Sequence, residues 1–338
     1  MVVDGLNWLL EHKMILDGLN HKSIGVDGDL IVDYYRIIKP KRLSPEAPIM
    51  IGSPETYEYR VGGAANVANN IKELGSKVAL YGVTGDDWKD FVSLCKLDLE
   101  AKEIFSKVLC RKDKKTTMKE RIITKRQQLL RIDHQDTTPL VGTEFYFAQV
   151  INNRHDVIVF SDYDHGTMNP FIVKQIMSSN IPIVVNSKSK DALQKYYGAN
   201  VAIFNMGEAQ DIVKENLEPE ELAVKIRSIM ECDTVIITMG PNGIYVMNNA
   251  ISKVFSALDK EDKEVIDVTG AGDTVTASIS AMIALNEDAF SRNNNAKCIA
   301  WNSIIEFANI VAGIVIRKRG VAVAERQEIY DMLSKKGV

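Results

Sequence analysis

The chain has 338 residues, of which 46% are hydrophobic and 25% charged, with 41 Lys and Arg against 45 Asp and Glu. This composition is typical of a globular protein with a sizeable core, and it excludes collagen-like and wholly disordered chains. A net charge of -4 without a long basic block argues against a nucleic-acid partner. Reduced thiols are expected because no Cys-x-x-Cys pair occurs among Cys95, Cys110, Cys232 and Cys298.

The first twenty residues predict a short amphipathic helix that packs on the body of the protein. Apolar side chains recur at helical spacing at Leu6, Leu9, Leu10, Ile15 and Leu19. The segment lacks the basic start and uninterrupted apolar core of a signal peptide. No stretch of the chain approaches the ~20 apolar residues that cross a membrane. We therefore expect residues 1–22 to form a helical extension of a cytoplasmic protein that has no membrane partner.

Short apolar runs alternate with helix-length segments through most of the chain. Ser23–Asp29 predicts a strand that runs into a turn, and helical periodicity between Gly62 and Gly75 precedes the apolar run Lys77–Val83. Four more apolar runs follow, at Val157–Phe160, Ile181–Val185, Val201–Phe204 and Thr234–Thr238. Continuous runs of this length are typical of parallel strands buried on both faces. Residues 23–338 are therefore predicted to form an α/β domain, with a central, mostly parallel sheet flanked by helices.

Two segments interrupt this alternation. Residues 34–60 contain four prolines and short β-like runs, and residues 113–134 are rich in polar and β-branched side chains. We interpret both as parts of a second, small β-sheet, to which the later segment supplies two edge strands, and which forms a lid over the site. Because exposed edge strands pair readily, a homodimer through the lid strands is expected.

The strongest chemical signal is Asp267-Val-Thr-Gly-Ala-Gly-Asp273-Thr274, which precedes a helical apolar pattern. Small residues before a helix expose backbone amides, and the helix dipole adds partial positive charge, so this turn is predicted to bind an anion. Asp273 lies where it can take a proton from a nucleophile that attacks a bound phosphoryl group. The alternative is a plain strand-to-helix turn capped by Asp273. The Walker pattern and the protein-kinase glycine-rich loop are both absent from the sequence.

This octet resembles the signature of the PfkB, or ribokinase-like, sugar kinases. In that family the second Asp is the catalytic base and the Gly-Ala-Gly amides form an anion hole. The resemblance therefore implies that Asp273 is the base and that the anion hole is formed by Gly270, Ala271 and Gly272.

Two more segments resemble motifs of the same family. Arg60-Val-Gly-Gly-Ala-Ala-Asn-Val-Ala68 is similar to its first signature, which meets the sugar hydroxyls. Asn205-Met-Gly-Glu208 resembles its Asn-x-x-Glu motif, which positions magnesium and phosphates through water. The resemblance implies ATP and Mg²⁺ as cofactors, with Mg²⁺ held through water near Asn205 and Glu208, and K⁺ as a further candidate.

Other segments are similar, in the same order, to the D-glycero-β-D-manno-heptose 7-phosphate kinases within this family. They are Gly28–Asp33, Leu43–Pro48, Arg126–Asp133, Ser161–Tyr163 and Phe307–Gly313, so the resemblance runs from about Ser23 to about Glu325. The His-x-Gly-His pattern of the nucleotidyltransferase half that often accompanies such kinases does not occur in this sequence. We therefore expect only the kinase step.

The residue types and the resemblance together imply two sets of binding residues. A sugar phosphate is expected at Asp29, Asp33, Gly62, Gly63, Asn66, Lys119, Arg121, Gln128, Arg131 and Asp162. In this set carboxylates and amides bond hydroxyls, glycines admit the ligand, and lid cations bind a second phosphate. The nucleotide is expected at Lys188, Asn205, Glu208, Thr238, Gly240, Gly243, Asp267, Thr269 and Asn309. Capped turns, close helix packing and solvated surface charges are the structural alternatives for these residues.

Three places depart from the heptose kinases. Asn186-Ser187-Lys188 stands where Asp-Pro-Lys is usual, His165 stands where Lys is expected, and Asp33-Tyr-Tyr-Arg36 replaces Asp-Arg-Tyr. Each change removes or moves a charge near the phosphate or the sugar. Three hypotheses therefore stay open: a kinase for the anomeric hydroxyl of heptose 7-phosphate, a PfkB kinase for a different sugar or modified heptose, and a non-catalytic regulator that binds sugar phosphates.

Overall fold

The computed structural model describes residues 14–125, 127–142, 150, 153–257, 265–286 and 301–336. The strands are β1 (Ser23–Gly28), β2 (Leu30–Leu43), β3 (Met50–Gly63), β4 (Lys77–Gly85), β5 (Phe105–Arg111), β6 (Thr117–Ile123), β7 (Gln128–His134), β8 (Val157–Asp162), β9 (Ile183–Ser187), β10 (Val201–Asn205), β11 (Thr234–Thr238), β12 (Ile244–Met247) and β13 (Ser252–Phe255). The helices are α1 (Ala64–Glu73), α2 (Lys89–Ala101), α3 (Pro170–Met177), α4 (Ala192–Lys195), α5 (Met206–Val213), α6 (Pro219–Met230), α7 (Ala271–Leu285), α8 (Trp301–Val315) and α9 (Arg326–Lys336).

Nine of these strands form one sheet in the order β13-β12-β11-β10-β9-β8-β1-β4-β5. Strand β12 pairs antiparallel with both of its neighbours, β11 and β13, at one edge of the sheet. All other pairs of neighbouring strands are parallel. Helices α1, α7 and α8 cover one face, whereas α3 and α6 cover the other. The predicted α/β fold, with a mostly parallel sheet between helical layers, is confirmed.

Strand β8 illustrates why the central strands are apolar without interruption. Val157 and Val159 point into the core layer that contains α7, whereas Ile158 and Phe160 point into the opposite layer. All four side chains are fully buried. Because successive side chains alternate between faces, a strand covered on both sides needs apolar residues at every position.

Strands β3, β2, β6 and β7 form the second sheet, in that order. Two antiparallel hairpins, β2–β3 and β6–β7, join through a parallel pairing of β2 with β6. The prediction of a small sheet built from both segments is therefore confirmed, but β6 is an interior strand and not an edge strand. Since only Asp29 separates β1 from β2, the second sheet, the predicted lid, leaves the main sheet directly from its central region.

The described part of the amino-terminal segment contributes to the main core. Residues 14–19 are helical, and Leu16 and Leu19 are fully buried in the layer that contains α7. Residues 1–13 lie outside the described part, and so does Cys298, while Cys95, Cys110 and Cys232 are free thiols. Within the ranges that the structure describes, no helix combines the length and apolar character required to traverse a bilayer.

Candidate active site

The central feature of the site is the turn that leads into α7. One carboxylate oxygen of Asp267 accepts the amide of Thr269 at 2.9 Å, and the other accepts the amide of Gly320 at 2.8 Å. Burial opposes the ionised form of Asp267, but these hydrogen bonds outweigh it and lower its pKa. Gly270 then adopts a left-handed conformation with φ of 82°, which favours glycine. Asp267 therefore fixes the shape of the turn.

The backbone amides of the turn are only partly available to an anion. The amide of Ala271 donates to the carbonyl of Val268 at 3.2 Å, so of the three predicted amides it is the one with a partner inside the turn. Gly272 and Asp273 lie in the first turn of α7, where amides have no carbonyl partner within the helix. A β-carbon at Gly272 would meet no atom within 4 Å. The amides of Gly270, Gly272 and Asp273 are therefore the candidates for the predicted anion site.

Two glycine substitutions should distinguish the effect of straining the turn from the effect of filling the space beside it. In Gly270→Ala, the new methyl would lie 2.9 Å from Nδ2 of Asn66, and a left-handed backbone costs a non-glycine residue about 1–2 kcal/mol. We expect a lower free energy of unfolding and a lower kcat. Gly272→Ala should unfold like the wild type, because its methyl meets no protein atom. It should bind ATP more weakly, because that methyl occupies space at the cavities that Gly272 lines. Denaturant unfolding and ATP titration measure both effects, and identical behaviour of the variants would contradict this assignment.

Asp273 is buried beside this turn and both of its oxygens have donors. Nδ2 of Asn66 donates to Oδ2 at 2.8 Å, and the hydroxyl of Tyr163 donates to Oδ1 at 2.6 Å. Burial raises the pKa of Asp273, while these two hydrogen bonds and the Lys188 ammonium oppose the rise. Asn66 is predicted to bind a sugar hydroxyl. In the structure its Nδ2 holds the Asp273 carboxylate, and its Oδ1 accepts Nδ2 of Asn70 at 3.2 Å.

A cavity of about 210 Å³ opens next to Asp273 at the carboxyl ends of the strands. It is lined by residues that follow or end β8, β9, β10 and β11, namely Tyr163, Lys188, Asn205 and Thr238, together with the α7 turn. The chain order of the sheet reverses between β1 and β8, and ligands of open α/β sheets bind at such a switch point. The cavity is therefore the candidate catalytic centre.

The Asn-x-x-Glu segment forms a capping box at the start of α5. The side chain of Asn205 accepts the amide of Glu208 at 2.9 Å, and Oε2 of Glu208 accepts the amide of Asn205 at 2.8 Å. Oε1 of Glu208 lies 3.7 Å from Nζ of Lys188. Burial raises the pKa of Glu208. The motif thus fixes a carboxylate and an ammonium together at the cavity wall.

A second, mostly apolar cavity of about 340 Å³ adjoins the first and shares Thr238, Val268 and Gly272 with it. Predicted nucleotide residues Gly240, Gly243 and Asn309 line this second cavity. Nδ2 of Asn309 donates to the carbonyl of Ser256 at 3.2 Å. An elongated ligand with an apolar end and an anionic end fits the two connected cavities.

The lid brings cations towards the catalytic centre. Nζ of Lys119 lies 5.3 Å from the centre of the Tyr163 ring, and Arg121 forms a buried ion pair with Asp33. A β-carbon at Gly62 would collide with that Asp33 carboxylate, which explains why a glycine stands there. Burial lowers the pKa of Lys119, and the nearby Lys188 ammonium lowers it further.

The other residues that were predicted on the lid differ in exposure. Arg131 is opposite Arg121 in the strand register, is half-exposed and pairs with Asp133 at 2.8 Å. Gln128 is exposed at the start of β7, beside the hairpin turn. Gly63, with φ of 59°, is buried, ends β3 and forms the N-terminal cap of α1. The structure therefore buries Arg121 with Asp33 and brings Lys119 to Tyr163, whereas Gln128 is exposed.

Two carboxylates predicted to bind substrate are used by the protein itself. Asp29 accepts the amides of Tyr163, His165 and Thr167 at 2.7, 3.1 and 3.2 Å, and so holds the loop after β8. Asp162 is fully buried and accepts Nζ of Lys195 at 3.0 Å and the hydroxyl of Tyr196 at 2.7 Å, in addition to Ser187. Both carboxylates are therefore buried and bonded to protein groups, and their contact with a sugar stays a prediction.

Sequence reasoning did not identify two residues that shape the site. Tyr163 was quoted only as part of a segment, yet it contacts Asp273 directly. Arg60 donates from Nη1 to the carbonyls of Arg319 and Val321 at 2.7 and 2.8 Å, next to the Gly320 amide that Asp267 accepts. An aromatic residue directly after a central strand was the available signal for Tyr163. For Arg60 no local signal exists, because its partners lie 259 and 261 residues away.

Comparison with known proteins defines the class of this molecule. Residues 28–327 match the model of the pfkB family carbohydrate kinases, and the chain belongs to that family. Over 326 residues it is 31% identical to Bifunctional protein HldE of Campylobacter fetus subsp. fetus (strain 82-40), which covers 93% of this chain and 67% of that protein. The chain spans about two thirds of the length of the curated relatives it matches.

Two solved structures show the same ribokinase-like fold. Escherichia coli phosphofructokinase-2 in complex with substrates and products superposes with a TM-score of 0.71 at 15% identity, over 93% of this chain and 98% of that chain. Arabidopsis thaliana ribokinase complexed with ribose and ATP gives a TM-score of 0.66 at 16% identity, over 92% and 98% of the two chains. The molecule is therefore a carbohydrate kinase of ribokinase-like fold.

Proposed function

We propose that this kinase transfers the terminal phosphoryl group of ATP to the anomeric hydroxyl of D-glycero-D-manno-heptose 7-phosphate. The observation that carries the proposal is the position of Asp273, a buried carboxylate in the first turn of α7 that lines the smaller cavity, next to Gly272, which lines both cavities. The larger cavity is apolar and suits an adenine ring, and the smaller is bordered by Lys188 and by the α7 turn. The segments that resemble heptose 7-phosphate kinases support the choice of sugar.

In the proposed reaction, Asp273 accepts the proton of the sugar hydroxyl while that oxygen attacks the γ-phosphorus. The new O–P bond forms as the bond to the β-phosphate oxygen breaks, and ADP leaves with the electron pair. Charge on the transferred group is stabilised by the amides of Gly270 and Gly272 and by the helix dipole of α7. Lys188 adds a positive charge on the opposite wall of the cavity.

The residues present fit Mg²⁺ held through water rather than in a protein cage. Glu208 offers Oε1 at the cavity, whereas its Oε2 and the side-chain oxygen of Asn205 are occupied by the capping box. No group of three or more His, Cys, Asp or Glu side chains suited to a metal ion occurs in the described part of the chain. Bound Mg²⁺ would neutralise phosphate charge there. K⁺ stays an expectation of the family resemblance.

The second phosphate of the substrate is assigned to the lid. Lys119 projects from β6 next to the Tyr163 ring, and Arg121 lies one pleat further along the same face, paired with Asp33. A phosphate on the sugar would complete the coordination of these cations. Arg131, on the neighbouring strand, is the third candidate.

A panel of sugars tests the substrate. ADP release should be fastest, by kcat/KM, with D-glycero-D-manno-heptose 7-phosphate, and slower with unphosphorylated heptose, fructose 6-phosphate or ribose. The second candidate, a kinase for another sugar, is favoured by His165, which bonds Oγ1 of Thr117 at 3.3 Å and thus supplies no side-chain cation to the cavity. A higher kcat/KM for another sugar would select that candidate. Calorimetric binding of the heptose phosphate without ATP consumption would instead indicate a non-catalytic regulator.

The lid also supports a proposal about assembly. The face of the lid sheet that points away from Lys119 exposes Tyr57, Leu130 and Ile132. The edge strands of this sheet are β3 and β7. We expect a homodimer at micromolar concentration in light scattering, because pairing through this face buries these side chains. Leu130→Lys should give monomers. The control Leu97→Lys, at an exposed leucine of α2, should remain dimeric; a monomeric wild type would contradict the proposal.

A further inference from the structure

Tyr163 occupies a position between the two halves of the site. It directly follows β8, and its hydroxyl donates to Oδ1 of Asp273 at 2.6 Å. Nζ of Lys188 lies 3.9 Å from the centre of its ring, and Nζ of Lys119 lies 5.3 Å from it. The ring therefore touches a lysine from the lid and a lysine from the nucleotide side, while its hydroxyl reaches the proposed base.

The backbone of this tyrosine is held firmly. The buried Asp29 carboxylate accepts the amide of Tyr163 at 2.7 Å and those of His165 and Thr167 further along the loop. The carbonyl of His165 accepts Nζ of Lys114 at 2.6 Å. A loop fixed by this many charge-assisted hydrogen bonds keeps the phenol in one place.

We propose that Tyr163 is a positioning residue for the phosphoryl transfer: its hydroxyl orients the Asp273 carboxylate towards the sugar, and its ring aligns Lys119 and Lys188 on the two substrates. This inference rests on the proposed function, in which Asp273 is the base. Asn66 holds the second oxygen, so the carboxylate is fixed by one donor on each side. Each oxygen keeps a further lone pair with which to accept the proton of the substrate hydroxyl.

Tyr163 does not itself transfer the proton in this arrangement. Burial and the adjacent Asp273 carboxylate raise the pKa of the phenol well above its ordinary value, so it keeps its hydrogen and acts only as a donor. The proton released by the sugar passes to Asp273. The electrons of the broken phosphoanhydride bond leave with ADP, and no further reactant is needed.

The hydrogen bond should be visible in the pH dependence of the reaction. The charged or titratable groups that act on Asp273 are Tyr163, Lys188, Asp33 and Glu208. Of these, the Tyr163 hydroxyl and the Lys188 ammonium stabilise the ionised carboxylate. In Tyr163→Phe the pKa of Asp273 should rise, and the acid limb of kcat should move to higher pH by about one to two units.

Tyr196 provides a matched control. Its buried hydroxyl also donates to a buried carboxylate, that of Asp162, at 2.7 Å, and Lys195 lies 5.5 Å from its ring centre. Tyr196→Phe removes a phenol hydroxyl, as Tyr163→Phe does, but from a tyrosine–aspartate pair that does not line the cavity. We expect it to lower the melting temperature without moving the acid limb. An equal shift of the limb in both variants would overturn the positioning role.

A second readout separates this inference from the choice of substrate. Carboxyl ¹³C resonances of aspartate-labelled protein, with Asp273 assigned by its loss in Asp273→Asn, report the titration of the carboxylate without any sugar. The resonance should titrate at higher pH in Tyr163→Phe than in the wild type or in Tyr196→Phe. An unchanged titration would refute the role of Tyr163. Absence of ATP turnover with every sugar would refute the proposed function, while the titration would still decide the role of the tyrosine.

Discussion

Replacing Asp273 by Asn should lower kcat by about 10²-fold or more, because the variant keeps the shape of the side chain but has no carboxylate to accept the proton. The expected effect is confined to turnover. Asn66 and Tyr163 both donate to Asp273, so one of these contacts loses an acceptor when the amide is introduced. Steady-state kinetics at saturating sugar and ATP measure the loss.

Binding measurements provide the control for this variant. Calorimetric ATP affinity and the KM for the sugar should change little, since the amides of the α7 turn and Lys188 are unaltered. Wild-type turnover by Asp273→Asn at saturating sugar would rule out Asp273 as the base. The wild-type acid limb should lie above the ordinary pKa of an aspartate, because burial raises the pKa of Asp273 and its protonation abolishes proton acceptance.

Replacing Lys195 by Met should cost about 3–5 kcal/mol of the free energy of unfolding. Its ammonium lies 3.0 Å from Oδ2 of Asp162, and the two side chains are 7% and 0% exposed. Removing the cation leaves a buried carboxylate that retains hydrogen bonds from the neutral hydroxyls of Tyr196 and Ser187 and from a backbone amide. Unfolding in urea measures the difference.

Lys225 is the control for that experiment. It pairs with Glu215 on the surface, where both side chains are about half-exposed. Lys225→Met should change the free energy of unfolding by less than about 1 kcal/mol, because an exposed ion pair is screened by water and salt. Equal losses of unfolding free energy in Lys195→Met and Lys225→Met would contradict the claim that burial makes the Lys195–Asp162 pair more important for stability.

The fold was predictable because it depends on local patterns. The run Val157–Phe160 is apolar at every position because both faces of β8 are covered, and the same holds for Val201–Phe204. The glycine at position 270 has the left-handed conformation that the turn before α7 requires. By contrast, the interior position of β6 results from its pairing with β2, which lies about 85 residues earlier in the chain, and no local pattern specifies that neighbour.

The candidate site was predictable in its residue types but not in their partners. Asp29 looks like a ligand-binding carboxylate in the sequence, yet its three donors are backbone amides 134 to 138 residues away. Asn66 lies in a sugar-kinase signature, yet its amide donates to Asp273, 207 residues away. Whether a polar atom remains available to a ligand depends on such tertiary contacts. The sequence therefore predicts a catalytic role for Asp273 but contains no pattern that predicts the contact with Tyr163.

A crystal structure with heptose 7-phosphate and a non-hydrolysable ATP analogue tests the central claim most directly. The anomeric hydroxyl should lie within hydrogen-bond distance of the Asp273 carboxylate, with the γ-phosphate on the amides of Gly270 and Gly272. A sugar bound with its anomeric hydroxyl out of reach of Asp273, or a γ-phosphate away from the α7 turn, would contradict the account.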